Sequence, residues 1–263
     1  MTPTHLLLRY GELFLKGKNQ AYFRRCLAGN IHQMTGQRVS STRGRLVMPY
    51  FSTHRRLQRI FGLLSYSPAI KTDKDIESIK KVALSLLEGS ISTFKVETHR
   101  ADKTFALPSQ QLNIIVGQHI EACTALQAEF DKPAIKLFIE INQDGAYIFT
   151  ETISCPGGLP VGSSGKVALR VENDASILAG LLMMKRGCTL ISVGQSDTGL
   201  LQLFSPHTLE SVAEISPSAV LVSGENFENR KKNGLGMVLK PLIAYSQERI
   251  EQELEKYRRI IVT

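Results

Sequence analysis

Residues 167–193 constrain the fold of this chain more than any other stretch. A short apolar run, Val167–Val171, meets a polar turn. An apolar helical segment, Ser176–Lys185, follows and closes on Arg186-Gly187, and a second apolar run, Cys188–Val193, comes next. Strand, helix and strand in that order require a crossover, so the two strands lie parallel in a sheet that helices cover. Further apolar runs, Ala219–Ser223 and Val238–Pro241, extend this sheet. Ser246-Gln247-Glu248 then caps a helix running to Arg259, and residues 194–217 read as irregular with a candidate short helix over 208–214. The turn after the first strand is where such a unit holds a phosphate, because N–H groups at a helix start lack partners and the helix dipole favours an anion. A phosphate-gripping turn wants glycine, so that the backbone can approach its ligand. This one offers Glu172, Asn173, Asp174, Ala175 and Ser176, with no glycine and two carboxylates. It reads as a degenerate nucleotide site.

The upstream sequence divides at about residue 72. Residues 1–72 present a strand (5–9), a helix (22–34), two strands (37–41 and 46–51) joined through Gly44, a helix (53–61) and a strand (64–70). That β-α-β-β-α-β order is ferredoxin-like. Residues 73–156 carry a helix at 75–87, an alternating strand at 93–99 and a helix through Ile120 with Ser109 at its N-cap. A hairpin turns at Asp144-Gly145. The Gly/Pro/Ser-rich residues 157–166 read as a linker, and 167–263 as a third unit, small for a doubly wound catalytic domain. The fold class is α/β.

The net charge of +8 is unevenly spread: residues 1–70 hold eleven Lys/Arg against the single acid Glu12. A localised basic surface is the footprint of a polyanion partner. Lys16, Lys18, Arg24, Arg25, Arg43, Arg45, Arg55, Arg56 and Arg59 are, if they share one face, the candidates to track the phosphates of a nucleic acid, contacts that position it without reading its sequence. Arg100 and Lys103 sit in a strand-to-helix turn, and the helix start at Ser109 is a candidate cradle for a terminal phosphate. Phe105 is either a base-stacking ring or a core residue. The four cysteines form no C-x-x-C pair and the histidines have no ligand spacing, so no metal is expected. Reduced thiols fit a cytoplasmic chain. Cys188 reads as buried, and Cys155, in the hinge before the linker, is the one cysteine expected to be exposed. No apolar run approaches the length of a membrane span.

Five motifs in order carry a family resemblance. They are Leu8-Arg9-Tyr10-Gly11-Glu12 with Lys16-Gly17-Lys18-Asn19; Phe94-Lys95-Val96 with Arg100, Asp102-Lys103, Phe105 and Ser109; Gly157–Lys166; Leu182-Met183-Met184-Lys185-Arg186-Gly187; and Leu239–Ile243. Together they resemble the tRNA 4-thiouridine synthetase (tRNA sulfurtransferase) family. The resemblance implies an N-terminal ferredoxin-like domain, a THUMP domain and a PP-loop, Rossmann-like domain, with tRNA as partner. It also implies ATP-dependent activation of a uridine and sulfur delivery by a cysteine persulfide. The family's S-G-G-x-D-S turn falls on Val171–Ser176, where only the last serine agrees, and the segment that carries the reactive cysteine is missing before Ser223-Gly224-Glu225. The expectation is a tRNA-binding member without its own adenylation activity and without a cofactor, working alone or beside a separate tRNA-modifying enzyme, with a homodimer left open. The alternative is an active sulfurtransferase with a rearranged ATP-magnesium site and an external sulfur donor. A third reading, outside RNA, is a module whose basic face docks an acidic protein.

Overall fold

The computed structural model of the chain describes residues 1–11, 17–42, 44–87, 89, 92–194, 197–214, 216, 219–229 and 237–262. The α-helices are α1 (Gln20–Thr35), α2 (Ile76–Leu86), α3 (Ser109–Cys123), α4 (Asp174–Lys185), α5 (Gly199–Phe204) and α6 (Gln247–Val262). A 3-10 helix spans His54–Arg59. The chain divides into two compact units, each assembled from three separate stretches.

The first unit comprises Met1–Arg9, Val39–Ser52 and Ser65–Ile153. Its strands are β1 (His5–Arg9), β2 (Ser40–Thr42), β3 (Arg45–Pro49), β4 (Ser65–Thr72), β5 (Thr93–Arg100), β6 (Gln127–Ala128), β7 (Ile135–Asn142) and β8 (Gly145–Phe149), and β9 (Ile153–Ser154) ends the stretch. They lie side by side as β2-β3-β1-β4-β8-β7-β5-β6. β1 is antiparallel to β3 and β4, whereas β5 is parallel to β6 and β7. The two-residue period of β7 turns Leu137, Ile139 and Ile141 inward. There they join Ile79, Val82 and Ala83 of α2 and Leu112, Val116 and Ile120 of α3. Each of these Val, Leu and Ile side chains contributes roughly 1.5–3 kcal/mol on burial. Asp75 starts α2 by accepting a 2.8 Å bond from the Ser78 N–H. Two local expectations are corrected. The strand expected at 37–41 is Ser40–Thr42, set by its pairing Thr42↔Arg45 around Gly44 at φ 80°. Ser109 is the first residue of α3 and makes no side-chain cap; Pro108 holds the N-cap, and its carbonyl accepts from the Leu112 N–H at 3.0 Å.

The second unit comprises Tyr10–Arg38, Thr53–Leu64 and Ser154–Thr263. Its sheet is parallel throughout the described residues. The strands are β10 (Lys166–Leu169), β11 (Thr189–Val193), β12 (Glu210–Val212), β13 (Leu221–Val222) and β14 (Val238–Leu239), in the order β12-β11-β10-β13-β14. α4 buries Leu178, Ala179, Leu181 and Met184, as an apolar crossover helix must. A Cβ at Gly180 would stand 2.6 Å from Leu169 Cδ2, so glycine sets how closely α4 meets the sheet. The helix expected at 208–214 is instead strand β12, paired to β11 through Ile191↔Glu210. The helix lies earlier, at α5, where Leu201 and Phe204 are buried one turn apart. The helix expected at 53–61 is a 3-10 turn with Leu57 as its buried anchor.

Residues 157–166 run through this unit with hydrogen bonds on several sides. Gly157 N–H donates to Leu63 O at 2.7 Å, and Gly62 N–H donates to Gly157 O at 2.8 Å. Val161 O accepts from Asn30 Nδ2 at 3.0 Å and from Cys26 Sγ at 3.3 Å, both on α1. Leu159 N–H donates to Lys185 O at 2.8 Å, Ser164 N–H to Gly187 O at 3.0 Å and Thr189 N–H to Gly165 O at 2.9 Å. Gly158, at φ 77°, faces Lys185 O so closely that no side chain fits.

Candidate functional site

The turn before α4 is closed on itself. Ser176 Oγ accepts from the N–H groups of Glu172 at 2.8 Å and Asn173 at 2.9 Å, and donates to Asn173 O at 2.6 Å. Asn173 Oδ1 accepts from Ser176 N–H at 3.0 Å, completing a capping box. Three of the N–H groups that could grip an anion are therefore spent within the turn. Asp174, in the first helical turn, meets Arg258 of α6 at 2.9 and 3.0 Å through its two carboxylate oxygens. A carboxylate there suits the positive end of the helix dipole. Gly224 covers what remains: a Cβ on it would stand 2.5 Å from Ser176 N and 2.6 Å from Ala175 C. Glu225, next in sequence, pairs with Lys240 at 2.7 Å. Glu172, Asn173 and Asp174 are exposed and Ser176 is buried. The absence of glycine from the turn was legible in the sequence, whereas the covering Gly224 and the Arg258 partner of Asp174 were not.

The basic candidates separate between the units. Lys16 and Arg43 lie outside the described residues. In the second unit, α1 packs against the 3-10 helix, which brings Arg24 and Arg25 onto an element adjoining Arg55, Arg56 and Arg59. Lys18, Arg25, Arg55 and Arg56 are exposed; Arg24 and Arg59 are half-buried, and Arg59 Nε is buried without a hydrogen-bond partner. Neither α1 nor the 3-10 helix contains an acid, so neither helix offers a carboxylate of its own to these cations.

In the first unit Arg45 does internal work. Its Nε donates to Glu140 Oε2 at 2.9 Å, while Arg9 donates to Glu140 Oε1 at 2.7 and 3.2 Å. Glu140 is 5% exposed. Burial alone would raise its pKa, but the Arg9 and Arg45 guanidiniums outweigh that and hold it below the ordinary value. The turn after β5 is built on Asp102, which accepts from Lys74 Nζ at 2.8 Å, Thr104 N–H at 2.9 Å and Thr104 Oγ1 at 2.7 Å. These bonds hold its carboxyl far below the usual range. Arg100 Nη1 braces the same turn through Phe105 O at 3.0 Å. Lys103 is left exposed, Phe105 is half-buried against the core of this unit, and Ser109 is half-buried at the start of α3. Lys74, Thr104 and Phe105 line a groove of about 620 Å³ beside this turn.

The cysteines divide differently from expectation. Cys155 is half-buried, its Sγ donates to Leu57 O at 3.6 Å, and burial pushes its pKa far up. A thiol so placed is inert as a nucleophile. The exposed cysteine is Cys123, at the end of α3. Cys188 is buried as expected, with its pKa raised chiefly by burial.

Two family models match, a ThiI ferredoxin-like domain over residues 5–67 and a THUMP domain over residues 73–151. A protein of Mycoplasmopsis synoviae named "Probable tRNA sulfurtransferase" is 32% identical over 271 residues, an alignment covering 98% of this chain and 71% of that protein. The chain belongs to the tRNA sulfurtransferase family. A namesake from Natranaerobius thermophilus is 39% identical over 210 residues, which cover 72% of this chain and 51% of that protein. The chain thus spans about half the length of several family members it matches. Among solved structures, PH1313 from Pyrococcus horikoshii Ot3 superposes with a TM-score of 0.83 at 26% identity, covering 96% of this chain and 99% of that one. A 4-thiouridine synthetase solved as an RNA complex with bound ATP has a TM-score of 0.81 at 23% identity, covering 99% of this chain and 87% of that one. That second likeness concerns the fold alone. Among the described residues, no helix is long and apolar enough to cross a membrane.

Proposed function

We propose that this chain is a tRNA-binding member of its family that does not adenylate RNA itself. It takes the acceptor end of tRNA on the basic residues of its N-terminal quarter and on the Asp102-braced turn with Lys103. It works alone or beside a separate modifying enzyme. The observation that carries the second half is the closed turn at 172–176. ATP with magnesium needs free N–H donors and room at the start of α4. Ser176 Oγ has taken two of those N–H groups, Asp174 brings a carboxylate, and Gly224 lies on the helix backbone. The residues present do not fit the nucleotide. The high pKa of Cys155 supports the absence of a sulfur-carrying thiolate there.

RNA binding is supported by the THUMP match and by the acid-free basic strip on α1 and the 3-10 helix. Phosphate contacts make affinity fall with salt. Calorimetric titration with ATP-magnesium and filter binding with a transcribed tRNA test the two halves separately. The expected result is no heat at millimolar ATP and salt-sensitive tRNA binding. Saturable ATP binding would favour an active sulfurtransferase with an external sulfur donor. Absence of tRNA binding at low salt would sink both and leave a protein-docking module.

A further inference from the structure

The C-terminal end of α4 carries two cations, Lys185 and Arg186, that no hydrogen bond or ion pair engages among the described residues. Lys and Arg at a helix end ordinarily serve its last carbonyls, which lack partners within the helix. Here backbone N–H groups already serve all four. Arg186 N–H donates to Leu182 O and Met183 O, and Cys188 N–H also reaches Met183 O. Gly187 N–H takes Met184 O at 2.8 Å, and Leu159 N–H takes Lys185 O at 2.8 Å. No ion pair engages Lys185 or Arg186 among the described residues, and Arg186 is exposed. Their side chains are therefore unassigned by the structure.

They border a groove of about 520 Å³ within the second unit. Gly158, Leu159, Leu182, Pro241 and Tyr245 form the rest of its described wall, and none of the described lining residues is Asp or Glu. Tyr245 is a fixed platform. Its N–H donates to Leu242 O at 2.8 Å, its carbonyl accepts from the buried Asn226 Nδ2 at 3.0 Å, and the Arg249 guanidinium sits 4.0 Å from its ring centroid. Two free cations, a backed aromatic ring and an apolar wall without carboxylates match the needs of single-stranded nucleic acid, whose phosphates seek charge and whose bases seek flat apolar partners.

We propose that this groove is a second RNA-contact site, in which Lys185 and Arg186 each neutralise a backbone phosphate and Tyr245 stacks on an unpaired base. The site rests on the RNA-binding reading above and extends it to the parallel-sheet unit, far in sequence from the basic first quarter. It lies at the opposite end of α4 from the closed turn.

The test compares wild type, K185Q/R186Q and a control, K256Q/R259Q on the exposed side of α6, for binding of a transcribed tRNA over a salt series. At roughly 0.7 counterions per phosphate, losing two contacts lowers the salt slope by about 1.4 and weakens binding about 25-fold at 0.1 M salt. The control should keep the wild-type slope to within a few tenths. Tyr245→Leu should weaken binding at least about fivefold with the slope unchanged, because stacking releases no counterion. Should K185Q/R186Q fold poorly, lysine acetylation of the wild-type protein with and without tRNA replaces it, and Lys185 should be protected. If wild type binds tRNA while K185Q/R186Q binds equally well, or Lys185 gains no protection, the proposal fails and the RNA-binding reading stands. A wild type that does not bind tRNA removes that reading first. Competition by AMP at micromolar concentration, with tRNA binding indifferent to K185Q/R186Q, would mark a mononucleotide site instead.

Discussion

Ser176 is the one residue of the 171–176 turn that matches its family's S-G-G-x-D-S pattern, and the structure makes it a strut. Ser176→Ala removes an oxygen that accepts from two backbone N–H groups and donates to Asn173 O. The other half of the capping box survives, because Asn173 Oδ1 still accepts from the residue-176 N–H at 3.0 Å. Losing a capping bond costs about 1 kcal/mol. An N–H left unmatched costs about 1–3 kcal/mol, and the low end applies because Glu172 and Asn173 are exposed and water can reach them. The sum is about 2 kcal/mol. For a unit of this size that lowers Tm by roughly 4–8 °C. Differential scanning calorimetry at pH 7 reads the shift, and tRNA binding measured alongside should be unchanged. A Tm within about a degree of wild type, or a titration in which S176A abolishes an ATP signal that wild type gives, would refute the structural role.

Glu140 should make the first unit acid-sensitive. Its folded pKa is held below the ordinary value, so its stabilisation is present above the unfolded pKa and is lost as pH falls through the folded one. Glu140→Gln should flatten that acid limb in thermal scans. At pH 7 it should cost about 2 kcal/mol, less than the ~3–5 of a fully buried pair because Arg9 and Arg45 keep some solvent contact. Native iodoacetamide labelling followed by mass spectrometry should modify Cys123 quickly and Cys155 only after denaturant; rapid labelling of Cys155 would contradict its placement. Reversing charge at Arg24, Arg25, Arg55 and Arg56 together should weaken tRNA binding and lower the salt slope by up to about 2.8 if all four meet phosphates. An unchanged slope would move the interface elsewhere. Arg45→Glu is a poor probe of RNA binding, because it places a carboxylate against Glu140 and damages the fold first.

The parallel sheet was legible because Val167–Val171, Ser176–Lys185 and Cys188–Val193 are apolar runs of strand, helix and strand length divided by a polar turn and by Arg186-Gly187, and the structure places β10, α4 and β11 on them. Where runs are short the pattern is ambiguous. Residues 199–204 span under two helical turns and 210–212 pair as a strand, so local pattern alone assigned both wrongly. The closed turn was half legible. That glycine was missing could be read directly, but the partner of Asp174 stands 84 positions away and the cover at Gly224 comes from another strand end. Arg45 shows the same limit: it looked like a phosphate contact until Glu140, 95 positions on, claimed it. Charge counts reveal an excess, and only the fold decides which cations it spends internally.

The bonds at Val161 also set a timetable for synthesis. Asn30 and its acceptor Val161 O are 131 residues apart. At roughly 5–20 residues per second, α1 leaves the ribosome about 7–26 seconds before its partner exists. Through that interval its apolar stripe of Leu27 and Ile31 has no complete second unit to join. A chain stalled or cut before the glycine-rich segment would keep that stripe waiting indefinitely, an aggregation hazard that the finished protein no longer carries.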